Sequence, residues 1–250
     1  MSLSTIPTVR LSNGVEMPQL GLGTSHNGGY SEEALCHALK LGVSLIDTAQ
    51  RYGTEEAIGR CVSLTGRERE QLFLTTKLWP RNYGRVSEAT NESLSNLNTD
   101  YLDLFLLHWP QPFDEASIAD TWRSLELLLE SEKVKAIGVS NFLERHLGKL
   151  HNDTLFSTAH RCSFSYYPNR RHFIKKHHKD KLLEEASIVP HVNQIEFHPF
   201  QQVEYTNFYT LNPLVIIIRA YTLWTIAVIG TSVLRDGVLS LRARFSETRQ

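Results

Sequence analysis

Four polar residues recur at nearly constant spacing, and each closes a short apolar run. Asp47, Lys77, His108 and Ser140 are separated by intervals of 30, 31 and 32 residues. The runs they close are Val43–Ile46, Gln71–Thr76, Tyr101–Leu107 and Lys135–Val139. A strand, a helix and two connecting loops take up about thirty residues, so this period predicts successive parallel strands that each end on a polar group at one face. Parallel strands buried on both sides are nearly continuous in apolar residues, and Phe105-Leu106-Leu107 fits. Helical patterns fill the gaps: Val86–Leu97, and Glu115–Ser131 with its Leu125, Leu128 and Leu129 stripe. A chain of 250 residues is a usual length for one (β/α)8 barrel. The expected class is therefore α/β, a TIM barrel.

The first of these strand ends is the richest. Asp47-Thr48-Ala49-Gln50-Arg51-Tyr52-Gly53 places an acid and a phenol five positions apart on a strand-to-helix loop. In α/β barrels that face carries the chemistry. Thr54 is positioned to cap the following helix, and Glu55 and Glu56 suit its first turn. Upstream, Val9–Met17 alternates around Asn13-Gly14, a hairpin signal, and such a hairpin could cover the barrel floor. Gln19–Thr24 is a Gly-rich strand, but His26 stands where a dinucleotide fingerprint needs its third glycine, so no Rossmann fold is expected. Ser31–Gly42 is a capped helix ending in glycine.

Charge and cysteine usage narrow the partners. A net charge of −1 gives no electrostatic case for nucleic acid or an anionic membrane. Leu214–Ile229 is shorter than the ~20 residues of a membrane span and contains Arg219. Cys36, Cys61 and Cys162 are odd in number and widely spaced, so no disulfide framework is expected. With no charged and then apolar leader at Met1–Thr5, a reducing, cytoplasmic setting is expected.

With these residues in place the chain resembles the aldo-keto reductases, from about Val9 to about Gln202 with one interruption. Gly42–Ala49, with Glu55 and Gly59, fits the family's first signature, and Ile137–Phe142 its second. Asp47, Tyr52, Lys77 and His108 match its catalytic tetrad. The resemblance implies NADPH-dependent reduction of aldehydes or ketones, with a small-molecule carbonyl as substrate. Tyr52 would be the proton donor, because a phenol can hydrogen-bond the carbonyl oxygen and then release its proton. A nearby ammonium favours a phenolate, the role implied for Lys77, which Asp47 would hold in place and keep charged. His108 would orient the carbonyl oxygen and share in stabilising its growing charge. Trp79 and Trp109 would wall the substrate pocket. Ser140, Asn141 and Gln194 would hold the nicotinamide carboxamide of NADPH, with Gly23 and Thr24 near its ribose and phosphates. The mechanism needs no metal ligands, and none are evident.

The period breaks after Ser140. Gln194 follows it by 54 residues, 22 more than the preceding interval. The excess falls within 151–181, a basic, His-rich insert that is unlike the family and reads as a surface excursion. Residues 203–250 form a divergent tail of the single barrel domain, 1–250. Leu214–Ile218 and Leu223–Gly230 look like strands separated by too little chain for a crossover helix. The barrel is thus expected to be incomplete or distorted at its C-terminal end, with exposed sheet edges. The alternative to an active reductase is a catalytically impaired, truncated isoform that acts as a binding or interaction protein.

Overall fold

The computed structural model describes residues 6–25, 30–112, 116–147, 186–196, 215–219 and 225–229. A hairpin comes first, β1 (Thr8–Arg10) paired antiparallel with β2 (Glu16–Pro18). The barrel strands follow: β3 (Leu20–Gly23), β4 (Leu45–Asp47), β5 (Phe73–Leu78), β6 (Leu104–Leu107), β7 (Ile137–Ser140), β8 (Val192–Glu196), β9 (Val215–Arg219) and β10 (Thr225–Ile229). Among them lie α1 (Glu32–Lys40), α2 (Glu55–Thr65), α3 (Val86–Leu97), α4 (Ile118–Glu130) and α5 (Glu144–Leu147). The 151–181 insert lies outside the described residues.

Strands β3 to β9 pair parallel in chain order, as the period predicts. Among the described residues the exposed sheet edges expected at the C-terminal end are not found. β10 pairs antiparallel with both β9 and β3 and closes the ring. Five residues separate Arg219 from Thr225, too few for the crossover that a parallel neighbour requires, so the chain returns antiparallel. The distortion of the (β/α)8 plan is one reversed strand.

Strand parity sorts the side chains. Ile46, Leu74, Leu78, Phe105, Leu107, Ile137, Val139 and Ile195 belong to the layer packed under the helices, with Leu39, Ile58, Leu97, Trp122 and Leu125. Leu45, Phe73, Leu104, Leu106, Ala136 and Val192 have the opposite parity and cluster with Leu11 and Met17 of the hairpin. The hairpin thus plugs the floor of the barrel, and Asn13 Nδ2 donates to the Lys135 carbonyl at the foot of β7 (2.8 Å). One step up the strands, the inward parity falls on Asp47, Lys77, His108, Ser140 and Gln194.

Two readings of local detail are corrected. Cys36 and Cys61 form a disulfide between α1 and α2, with Cα atoms 4.9 Å apart. Cysteines 25 residues apart in sequence meet here because consecutive barrel helices pack side by side. Thr54 occupies the N-cap position of α2 but makes no side-chain cap. Its hydroxyl instead pairs with those of Thr24 (2.9 Å) and Thr48 (2.8 Å). By contrast Ser31 caps α1 as expected, accepting from Ala34 N–H.

β8 follows the insert, so its register against β7 is a useful test of the fold. A Cβ at Gly138 would lie 2.5 Å from the Val192 carbonyl oxygen and 2.7 Å from Leu106 Cδ2. The backbone oxygen can give way only if β8 moves. Gly138→Ala is expected to cost about 1–3 kcal/mol in urea unfolding. An unchanged midpoint would mean that β7 and β8 do not pair in this register.

Candidate active site

At the C-terminal ends of the strands the inward residues converge. Lys77 Nζ donates to Asp47 Oδ2 (2.7 Å) and to the Thr48 carbonyl (2.8 Å). Both side chains are almost wholly buried, Lys77 at 0% and Asp47 at 2% exposure. A buried ion pair is tolerated only when the other valences are met as well. Gln194 on β8, across the ring from β4, meets one by donating from Nε2 to Asp47 Oδ1 (2.9 Å).

Tyr52 ends a single 3-10 turn, Gln50–Tyr52. Gly53 closes that turn with φ 67°, a left-handed conformation that glycine adopts without strain. The Tyr52 ring centroid lies 5.2 Å from Lys77 Nζ and 5.6 Å from the His108 ring, which it meets edge-on. The His108 ring meets Trp79 edge-on at 5.3 Å and stacks with Trp109 at 6.3 Å. Asp47, Tyr52, Lys77 and His108 are therefore neighbours, with both indoles beside them.

The remaining candidates form a second group on the adjoining strands. Ser140 Oγ donates to the Gln194 carbonyl (3.1 Å) and accepts from Asn141 Nδ2 (3.1 Å). Asn141 takes a left-handed φ of 61°, which Asn tolerates better than most residues. Three bonds hold it there: its N–H donates to the Gln194 carbonyl, and Nδ2 donates to the His108 carbonyl and to Ser140 Oγ. Gly23 lies beside Asp47 in the β3–β4 register. Thr24 is buried against the back of that strand end, donating from N–H to the Asp47 carbonyl (2.9 Å).

Sequence reasoning missed several supports. Tyr83 donates its hydroxyl to the Trp109 carbonyl. Burial pushes its phenol far above the usual range, so it stays a protonated donor. The linked hydroxyls of Thr24, Thr48 and Thr54 tie two strand ends to the start of α2. The side chain of Gln50 bridges the Tyr52 turn, the Trp79 loop and α3. No spacing rule marks these residues, since most of the partners come from different βα units. Among the described residues no group of three or more His, Cys, Asp or Glu side chains could hold a metal ion, and no helix is long and apolar enough to cross a membrane.

The mouth of the barrel thus holds a buried lysine–aspartate pair beside a tyrosine and a histidine. The Aldo/keto reductase family model matches residues 19–248, and the chain belongs to that family. An uncharacterized oxidoreductase of Caenorhabditis elegans is 42% identical over 211 residues, covering 81% of this chain and 56% of the relative. The glyoxal reductase of Bacillus subtilis is 39% identical over 203 residues, covering 80% of this chain and 61% of the relative. The chain thus spans less than two thirds of the length of either curated relative. Among solved structures, a Bombyx mori aldo-keto reductase in complex with NADP superposes with a TM-score of 0.66 at 26% identity, over 88% of this chain and 67% of that one.

Proposed function

We propose that this chain reduces the carbonyl group of a small aldehyde or ketone to an alcohol, with NADPH as reductant and Tyr52 as proton donor. The observation that carries the reading is the buried Lys77–Asp47 pair beside a tyrosine and a histidine in edge contact at the barrel mouth. The donor set also suits the cofactor. A carboxamide presents one acceptor and two donors; the Ser140 hydroxyl and the Asn141 amide lie within hydrogen-bond reach of each other, and the Gln194 carbonyl accepts from Ser140 Oγ and from the Asn141 N–H. These three residues would hold the nicotinamide end, with Gly23 and Thr24 flanking. When bound, NADPH supplies the hydride that reaches the carbonyl carbon.

The chain's own residues handle the oxygen. Tyr52 hydrogen-bonds the carbonyl oxygen and delivers its proton as negative charge develops there. Lys77 has three N–H donors; Asp47 and Thr48 take two, and the third serves the Tyr52 oxygen. Asp47 keeps the ammonium charged and aimed, and Gln194 keeps Asp47 aimed. His108 orients the same carbonyl oxygen from the other side. Trp79 and Trp109 exclude water from the mouth and favour an apolar substituent on the carbonyl. The setting proposed is cytoplasmic.

The test is direct. Purified chain is titrated with NADPH by fluorescence, then assayed for methylglyoxal-dependent loss of NADPH absorbance. Binding with turnover is expected. Binding without turnover would replace this reading with that of a nucleotide-binding interaction protein, and absence of both would remove it.

A further inference from the structure

We infer that Gln50 is a positioning residue, which fixes the Tyr52 turn against the Trp79 loop and so sets the distance between the phenol and the indole wall. The inference rests on the reading of Tyr52 as proton donor.

A primary amide has two N–H donors and two acceptor lone pairs, and Gln50 uses all of them within the protein. Nε2 donates to the Ala89 carbonyl and to Ser93 Oγ, both at 3.0 Å. Oε1 accepts from the Trp79 N–H (3.0 Å) and from Asn82 Nδ2 (2.8 Å). The arrangement admits one orientation only. A flipped amide would aim its NH2 at two donors and its oxygen at the Ala89 carbonyl. Ala89 and Ser93 are themselves buried on α3, so the anchor point is rigid.

What the clamp joins matters more than its completeness. Gln50 starts the turn that ends at Tyr52. Trp79 lies two residues beyond Lys77 and meets the His108 ring, which in turn meets Tyr52. Tyr52, His108, Trp79 and Gln50 therefore close a circuit around the mouth. Three of its links are ring contacts or the turn backbone, which can slide or tilt; the fourth is this directional bond set. The Arg51 guanidinium, 5.7 Å from the Trp79 ring centroid, adds a looser contact between the same two loops. Loss of Gln50 would leave the proton donor and the wall free to drift relative to each other. A displacement of about 1 Å at a reacting centre can cost as much as ~10²-fold in rate.

The test compares Gln50→Met, which keeps length without hydrogen bonds, with Asn82→Ala, which removes a single partner. Four quantities are read on the whole 250-residue chain: kcat and KM for methylglyoxal, the Kd for NADPH, and the 13Cζ resonance of Tyr52 in tyrosine-labelled protein, assigned with Tyr52→Phe. Gln50→Met is expected to lower kcat about tenfold, to leave the NADPH Kd within about twofold, and to shift or broaden the Tyr52 resonance. Asn82→Ala should do the same more weakly. An unmoved Tyr52 resonance, or a rate loss that merely follows the folded fraction, overturns the inference. Should Gln50→Met fail to fold, Asn82→Ala decides by the same criteria. A wild-type chain that binds NADPH without turnover defeats the catalytic reading instead, and the resonance then decides alone whether Gln50 positions the turn.

Discussion

Tyr52→Phe is expected to lower carbonyl-dependent NADPH oxidation by about 10²–10⁴-fold, the usual contribution of a positioned general acid. The substitution removes one oxygen and keeps the ring. The edge contact with His108 at 5.6 Å and the approach of Lys77 Nζ to the ring at 5.2 Å both survive it. Tyr52 also sits half-buried in a turn on the rim, outside the strands that hold the core, so the loss should fall on chemistry with little change in unfolding. The proposed nicotinamide contacts, Ser140, Asn141 and Gln194, lie at the end of β7 and on β8, away from the turn, and the NADPH Kd should stay within about twofold, since a group that acts only in the transition state leaves ground-state binding alone. A phenol that donates its proton as the oxygen gains charge binds the transition state better than the carbonyl itself, so the decline should appear in kcat more than in KM. A Phe variant that retained more than a tenth of wild-type kcat would dismiss Tyr52 as the acid.

The meeting of Asp47, Lys77 and His108 was legible because two simple periods agree there. The interval of about thirty residues per βα unit brings Asp47, Lys77 and His108 to one end of the barrel. The alternation of a strand then turns all three inward, since Leu45, Phe73 and Leu104 below them have the same parity. Ser140 and Gln194 follow the same logic across the insert, which lengthens a connection without changing parity. The hairpin on the floor was readable from Asn13-Gly14 alone. What escaped depends on contacts between units. Thr54 has the right residue type and place for a cap, yet two neighbouring hydroxyls claim its oxygen. Cys36 and Cys61 meet through helix packing that spacing does not reveal. The closure of the barrel was half readable: a short link between the last two apolar runs forbids a crossover, but only the ring geometry shows that the reversed strand also reaches β3. Gln50 looks like any loop glutamine until α3 and the Trp79 loop are placed around it.

Lys77→Met and Asp47→Asn should each destabilise the chain by about 3–5 kcal/mol, the cost of leaving one partner of a buried pair uncompensated. That is a large share of the ~5–15 kcal/mol that holds a typical domain together. In Lys77→Met the Asp47 carboxylate keeps only the neutral Gln194 amide as a side-chain donor. In Asp47→Asn the ammonium keeps the Thr48 carbonyl but faces no opposing charge. The double variant removes both charges, and the carboxamide introduced by Asp47→Asn can still accept from Gln194, so its urea midpoint should lie closer to wild type than that of either single variant. Activity should behave in the opposite way. With no ammonium beside Tyr52 the double variant should be as inactive as Lys77→Met, however well it folds. The cycle therefore separates what the pair does for the barrel from what it does for the phenol. Two single losses that simply add in the double variant would show that Lys77 and Asp47 do not interact in the folded chain. A double variant that recovered turnover along with stability would show that the ammonium serves folding alone.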